Sequence, residues 1–158
     1  MEESGGQMFY GEYRHSIDRK GRLIIPAQFR KMLKENYVEK VYITRGLDKC
    51  LFVFTEEEWK LQEQKFKSIP FTRSDSRKFN RFYFSGASEA SFDKQGRILI
   101  PQYLKKYAGI KKNVVVVGVS NRFEIWDEDV WDKYYSDTET LFEDVAEDLL
   151  KPPDDPNK

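Results

Sequence analysis

The chain has 158 residues, 39% of them hydrophobic and 34% charged, with a formal net charge of zero. That length allows one cored domain or two small joined lobes, and that composition describes a globular chain rather than a disordered one. No apolar run approaches the roughly 18–20 residues needed to cross a bilayer. One His and one Cys exclude an intrachain disulfide and a soft-metal site, so no metal or cofactor is expected.

The zero charge is an average over two unlike parts. Residues 1–126 hold 24 Lys+Arg against 15 Asp+Glu, a net of +9, whereas residues 127–158 hold 3 against 12, a net of −9. A basic body with an acidic tail suits a protein that meets a polyanion, and equally a solvated body with a solubilising tail. Residues 1–6 are acidic and Gly-rich, unlike a secretory signal. With the lone Cys50 they point to a reducing intracellular setting.

Residues 1–7 can bury almost nothing and are expected to be disordered. In residues 12–17, Tyr13, His15 and Ile17 alternate with polar neighbours as a half-buried strand requires. Asp18-Arg19-Lys20-Gly21 is a turn and residues 22–25 a returning strand, together predicting a hairpin. Pro26 opens a helix over residues 27–34, with Phe29, Met32 and Leu33 on its apolar stripe. Residues 40–44 and 50–54 read as strands, and Thr55 with Glu58 as a capping box for a helix carrying Trp59. Cys50, ahead of Leu51-Phe52-Val53-Phe54, reads as a buried thiol.

Residues 92–101 then repeat residues 17–26 at an offset of 75: Asp93-Lys94-Gln95-Gly96-Arg97-Ile98-Leu99-Ile100-Pro101 against Asp18-Arg19-Lys20-Gly21-Arg22-Leu23-Ile24-Ile25-Pro26. Two such matches indicate a tandem repeat. A helix over 102–107, strands over 114–117 and 123–126, and a helix capped by Asp127 complete the second copy. Each copy reads strand, turn, strand, helix, strand, loop, strand, helix. About 50 residues is too few for an independent core, so the copies should complete one sheet or barrel together. Residues 62–84 have no internal counterpart. Pro70 interrupts them, and Thr72 or Ser74 is placed to cap a basic helix bearing Phe79, Tyr83 and Phe84 as core or interface side chains. Residues 141–150 form an acidic amphipathic helix closed by Lys151-Pro152-Pro153.

In the repeated turn, Asp18 and Asp93 can cap backbone N–H groups and hold Arg22 and Arg97 by a charge-assisted pair. Gly21 and Gly96 accept a positive φ. That accounts for the Asp and Gly but leaves Arg19, Lys20 and Lys94 as spare cations, with Arg at both strand starts. Arg can fork onto guanine while Lys holds phosphate, so the tips suit a nucleic-acid groove. Gly-rich phosphate loops, nucleotide fingerprints and zinc helices are absent from the sequence. His15 reads as structural, and acid pairs such as Asp75 with Glu89 as caps and turn residues, so no catalytic residues are expected.

At these turns the chain resembles the MraZ family of bacterial transcriptional regulators, of the AbrB-like swapped-hairpin class. The resemblance rests on the two turn segments, Pro26-Ala27-Gln28-Phe29-Arg30, Thr44-Arg45-Gly46-Leu47-Asp48, Asp75-Ser76-Arg77-Lys78-Phe79 and Phe84-Ser85-Gly86-Ala87. It implies a mainly β fold with short helices (α+β), a pseudo-symmetric double swapped-hairpin barrel. Its parts would be a first AbrB-like repeat over 8–61, a linker with a basic helix over 62–84, a second repeat over 85–135, and an acidic, partly disordered tail over 136–158. It further implies a cytoplasmic, nucleoid-associated homo-oligomeric ring without membrane contact. That ring would bind double-stranded DNA at short direct repeats in the promoter of the division and cell-wall cluster, usually as a repressor. Arg22 and Arg97 are then the DNA contacts, Arg19, Lys20 and Lys94 the phosphate contacts, and Asp18, Gly21, Asp93 and Gly96 the residues that order the turns. An RNA-binding protein and a protein-interaction or assembly module are the alternatives.

Overall fold

The computed structural model describes residues 8–154; the expected disorder of residues 1–7 lies outside that range, as do residues 155–158. The chain divides into two units between Glu128 and Asp129. The first runs β1 (Glu12–Ser16), β2 (Arg22–Ile24), α1 (Ala27–Glu35), β3 (Lys40–Arg45), β4 (Leu51–Thr55) and α2 (Glu56–Lys67), then α3 (Ser74–Ser85), β5 (Ser88–Ser91), β6 (Arg97–Leu99), α4 (Gln102–Tyr107), β7 (Asn113–Gly118) and β8 (Phe123–Asp127). The second holds α5 (Glu128–Glu139), apart from its first residue, and α6 (Phe142–Leu150).

Local chemistry explains most of these boundaries. Pro26 and Pro101 stand at the N-caps of α1 and α4 with φ of −49° and −59°, where a missing N–H costs nothing. Phe29 and Leu33, four apart, bury one face of α1. Thr55 Oγ1 accepts the Glu58 N–H at 3.2 Å; three acids open α2, and Lys65 and Lys67 close it along the helix dipole. The cap expected for α3 at Thr72 or Ser74 is corrected. Arg73 occupies that position without a side-chain cap, since a guanidinium has no acceptor to offer the helix N–H groups; its own N–H donates to the Pro70 carbonyl at 3.3 Å.

The first unit builds two antiparallel sheets. One has six strands in the order β1-β7-β8-β4-β3-β5, and the other is the ribbon β2-β6. Exchanging the first four strands for the last four reverses the six-stranded order onto itself. The ribbon register, Leu23 opposite Ile98 with Arg22↔Leu99 and Ile24↔Arg97, is likewise unchanged by that exchange. Strands from both parts of the sequence are therefore interleaved in one sheet, and the core lies between it, the ribbon, α1 and α4. Leu23, Ile25, Ile98, Ile100, Phe29, Leu33 and Leu104 meet Val41, Ile43, Val53, Val116 and Ile125 there. Phe9 packs edge-on against Phe29 and Phe123 with centroids 5.1 and 5.2 Å away. A second cluster centres on Trp59 of α2, which stacks on Tyr42 and Tyr83, while Phe79 stacks on Tyr83 at 4.8 Å. Phe79, Tyr83 and Phe84 thus sit among other rings, Tyr83 buried and Phe79 and Phe84 half-buried.

Two expectations are corrected. The mainly β swapped-hairpin barrel is not formed: helices take 41% and strands 27% of the structure, and both sheets are open. The six-stranded sheet ends at β1 and β5, each paired on one side only. Much of the helical share comes from residues 56–85 and 128–150, which hold α2, α3, α5 and α6. The first turn also does not join a paired hairpin. Ile17 N–H already donates to Lys112 O at 2.9 Å, which carries β1 onto β7, while β2 leaves the turn for β6.

The ribbon gives a direct stability test. Leu23 is 0% exposed and Leu99, on the same ribbon, 55%. Leu23→Ala is expected to lower the unfolding free energy by about 2–5 kcal/mol, and Leu99→Ala by about 0.5 kcal/mol or less, as read from urea unfolding midpoints at constant m-value.

Candidate nucleic-acid interface

The two Asp-x-x-x-Arg segments fold into the same turn. In the first, Gly21 N–H donates to Asp18 O and Asp18 N–H to Arg22 O, both at 3.0 Å. Asp18 Oδ1 accepts from the N–H of Lys20 at 3.0 Å and of Arg22 at 2.9 Å. Its Oδ2 accepts from Arg22 Nε at 2.8 Å. In the second, Asp93 Oδ1 takes the Gln95 and Arg97 N–H groups at 2.9 Å, and Oδ2 takes Arg97 Nε at 2.8 Å. One carboxylate closes the loop and fixes the arginine at its exit. With Nε committed to that carboxylate, the donors left to face a ligand are the terminal Nη nitrogens.

The glycines are required by this path. Gly21 has φ +82° and Gly96 φ +77°, a region L-residues rarely enter. A Cβ at Gly96 would also lie 2.4 Å from Arg30 Cδ, and one at Gly21 3.1 Å from the Ile100 carbonyl. Each turn is thereby pressed against a neighbouring element.

The ribbon sets the turns side by side. Ile25 N–H donates to Gly96 O at 3.1 Å and Ile100 N–H to Gly21 O at 2.8 Å. Arg97 Nη1 comes within 3.7 Å of Asp18 Oδ2, so Arg97 lies near the carboxylates of both turns. Arg22 and Arg97 are half-buried, and Arg19, Lys20 and Lys94 are exposed on the tips. The second tip has exposed Gln95 in place of Lys20, and so carries one cation fewer.

Arg30 was not singled out from the sequence, although it belongs to the grouping. Its Nε donates to Ile25 O at 2.8 Å, and its stem covers Gly96 from α1. With Lys34 and Lys94 it lines an open recess of about 630 Å3 beside the second turn. The sequence signal was only a basic residue four after Pro26; the neighbour it covers is far away in the chain. Partial burial first, and then the Arg30 charge, hold the His15 imidazole below its usual 6.5. Cys50 is fully buried, and desolvation pushes its thiol well up. Among the described residues no group of His, Cys, Asp and Glu could hold a metal ion, and no helix is long and apolar enough to cross a membrane.

A family model for the MraZ protein, antitoxin-like by its description, matches residues 8–82 and again residues 83–151. The chain belongs to the MraZ family. As an MraZ-family member it is a transcription regulator and not an enzyme. The two matches meet within α3, and each contains one of the Asp-clamped turns.

The turns carry a pH signature. Asp18 and Asp93 are held below the usual 3.8, first by the N–H of Arg22 and Arg97 respectively and then by their guanidinium groups. A depressed carboxylate stabilises the fold fully above its unfolded pKa, and that contribution is lost as pH falls through the folded value. The paired variant Asp18→Asn with Asp93→Asn should melt below wild type at pH 7. The gap in melting midpoint should close as the pH is taken below 3.8, as followed by circular dichroism.

Proposed function

We propose that this chain regulates transcription by binding duplex DNA through its two Asp-clamped turns. Arg22 and Arg97 would read base edges, and Arg19, Lys20 and Lys94 would hold phosphates. Asp18, Gly21, Asp93 and Gly96 would keep both tips in shape. Residues 8–61 and 85–135 would each supply one turn, joined by 62–84. The family resemblance extends this to a ring-like homo-oligomer in the cytoplasm, associated with the nucleoid. There it would repress the division and cell-wall cluster through short direct repeats in its promoter.

The observation supporting this reading is the repeated arginine held by its own carboxylate, twice, on one ribbon. An unrestrained Arg loses about 2 kcal/mol of rotamer freedom when it is fixed on a ligand. An arginine already fixed by its Asp has lost much of that freedom beforehand, so the turn is preorganised for a rigid partner such as a base edge. Two adjacent tips per chain also match a repeated target, since one bound tip raises the effective concentration of the next.

Arg22→Ala and Arg97→Ala should each abolish specific promoter binding in mobility-shift titrations, as loss of a bidentate base contact of about 1–3 kcal/mol is multiplied across a ring. Circular dichroism and oligomer mass should be unchanged. Specific binding retained in both variants sinks the site. The cations on the tips should act differently, through salt. Each phosphate contact removed should flatten the slope of log affinity against log salt by about 0.9. Arg19→Ala with Lys20→Ala should therefore flatten it about twice as much as Lys94→Ala.

A further inference from the structure

Each unit exposes a surface that the DNA reading does not use. On the first unit, an open recess of about 450 Å3 lies between α3, the β3–β4 loop and α4. Phe79, Phe82 and Tyr107 line it, with Leu47 on its loop side and Arg45 and Lys78 among its cations. Phe82 and Leu47 are more than half exposed, at 53% and 61%. The recess is already ordered. The Arg45 guanidinium lies 4.2 Å over the Phe82 ring, and its Nη1 donates to the Phe82 carbonyl at 2.7 Å. Tyr107 OH donates to the Gly46 carbonyl at 2.7 Å, and Lys49 Nζ stands 5.3 Å over the Tyr107 ring. Asp48 is the acid on this loop; otherwise an apolar floor has a cationic rim.

On the second unit, α6 has the opposite character. Phe142, Val145 and Leu149 follow the spacing of one helical stripe and are all exposed, Phe142 at 67% and Leu149 at 78%. Glu143, Asp144, Glu147 and Asp148 supply its charge, and no basic residue stands in its last turn. At nine residues it is shorter than the roughly 12–15 at which an isolated helix becomes even marginally stable in water. Such a helix is held by a surface that takes its apolar face.

We infer that α6 of one copy of this chain docks in the Arg45–Phe82 recess of a second copy. The stripe of Phe142, Val145 and Leu149 lies against Phe82 and Tyr107, and its carboxylates meet Arg45, Lys49 and Lys78. The arrangement is a helix in a groove, with apolar anchors giving affinity and complementary charge giving register. Each chain carries one recess and one helix, so the contact is head-to-tail. A head-to-tail contact closes into a ring when its rotation permits. The inference rests on the self-association part of the proposed function and names the surfaces that would produce it. It does not depend on DNA.

The test uses full-length protein without DNA, with mass read by sedimentation velocity over a concentration series. Variant H carries Phe142→Asp and Leu149→Asp; variant G carries Leu47→Asp and Lys78→Glu. All four positions are exposed, so the fold should survive, as circular dichroism will check. Each variant alone should need at least a tenfold higher concentration to associate than wild type. An equimolar mixture of H and G should form a one-to-one dimer and nothing larger, because it contains one intact recess and one intact helix. Either variant assembling as wild type does, or a mixture that stays monomeric, overturns the docking. If wild type itself is monomeric, the self-association reading fails with it. Loss of promoter binding with intact assembly would instead count only against the DNA reading.

Discussion

The pairing of β2 with β6 is the constraint on which the rest of the first unit depends. Three residues on each side are involved, Arg22↔Leu99, Leu23↔Ile98 and Ile24↔Arg97. Because side chains alternate across a strand, that register sends Leu23 and Ile98 together into the core. A slip of one residue would turn both outward and lose their burial, so the core and the register enforce each other. The same register fixes where the two turns lie. The ribbon continues through Ile25 to Gly96 and Ile100 to Gly21, so each turn is bonded to the strand leaving the other. Neither turn can be displaced without breaking the core pair between them.

The six-stranded sheet has the same logic at larger scale. β1 is the first strand of the chain, yet it pairs with β7. β5 follows α3, yet it pairs back onto β3. Neither part of the sequence contains a full set of partners for its own strands. The central pair, β4 with β8, again joins the two parts. A short chain gains from this exchange, since about 50 residues bury too little surface to fold alone. It also explains why the chain keeps two similar turns next to one another instead of at opposite ends of two lobes.

Local features were legible in the sequence, and the pairings were not. Pro26 and Pro101 mark helix starts, Thr55 marks α2, and the four valines of β7 mark a strand, because each acts through neighbours within a few residues. The Asp, Gly and Arg of the turns could be read in the same way, since the bonds from Asp18 and Asp93 span two to four residues. The hairpin expected at the first turn failed because nothing local distinguishes a strand that pairs across its turn from one that departs. That choice is made by Val114 and Val116, a hundred residues away from Tyr13 and His15. The barrel expectation fails for a related reason: the helices of residues 56–85 are legible locally, but whether strands close into a barrel is set by distant pairings, and β1 and β5 remain open edges. Arg30 escaped notice because what gives it meaning is Gly96, a residue that tolerates its stem only by lacking a Cβ.

The division of charge along the chain connects these parts. The net of +9 ends at Trp126 and the net of −9 begins at Asp127, beside the boundary between the units at Glu128. If the basic tips bind a polyanion as proposed, the acidic tail is an internal competitor for the same cations. If the four carboxylates of α6 settled on Arg19, Lys20 or Lys94, they would screen the tips from phosphate. Docking on Arg45, Lys49 and Lys78 engages that acid elsewhere and, in the head-to-tail arrangement proposed, on a neighbouring copy. Assembly then leaves the turns basic while the whole chain stays neutral. Salt would weaken both contacts, but unequally. The proposed α6 contact would bury an apolar stripe, which salt does not screen, whereas phosphate contacts from Arg19, Lys20 and Lys94 would give way as rising salt returns counterions to the DNA. If both contacts form as proposed, assembly should therefore outlast DNA binding as salt rises.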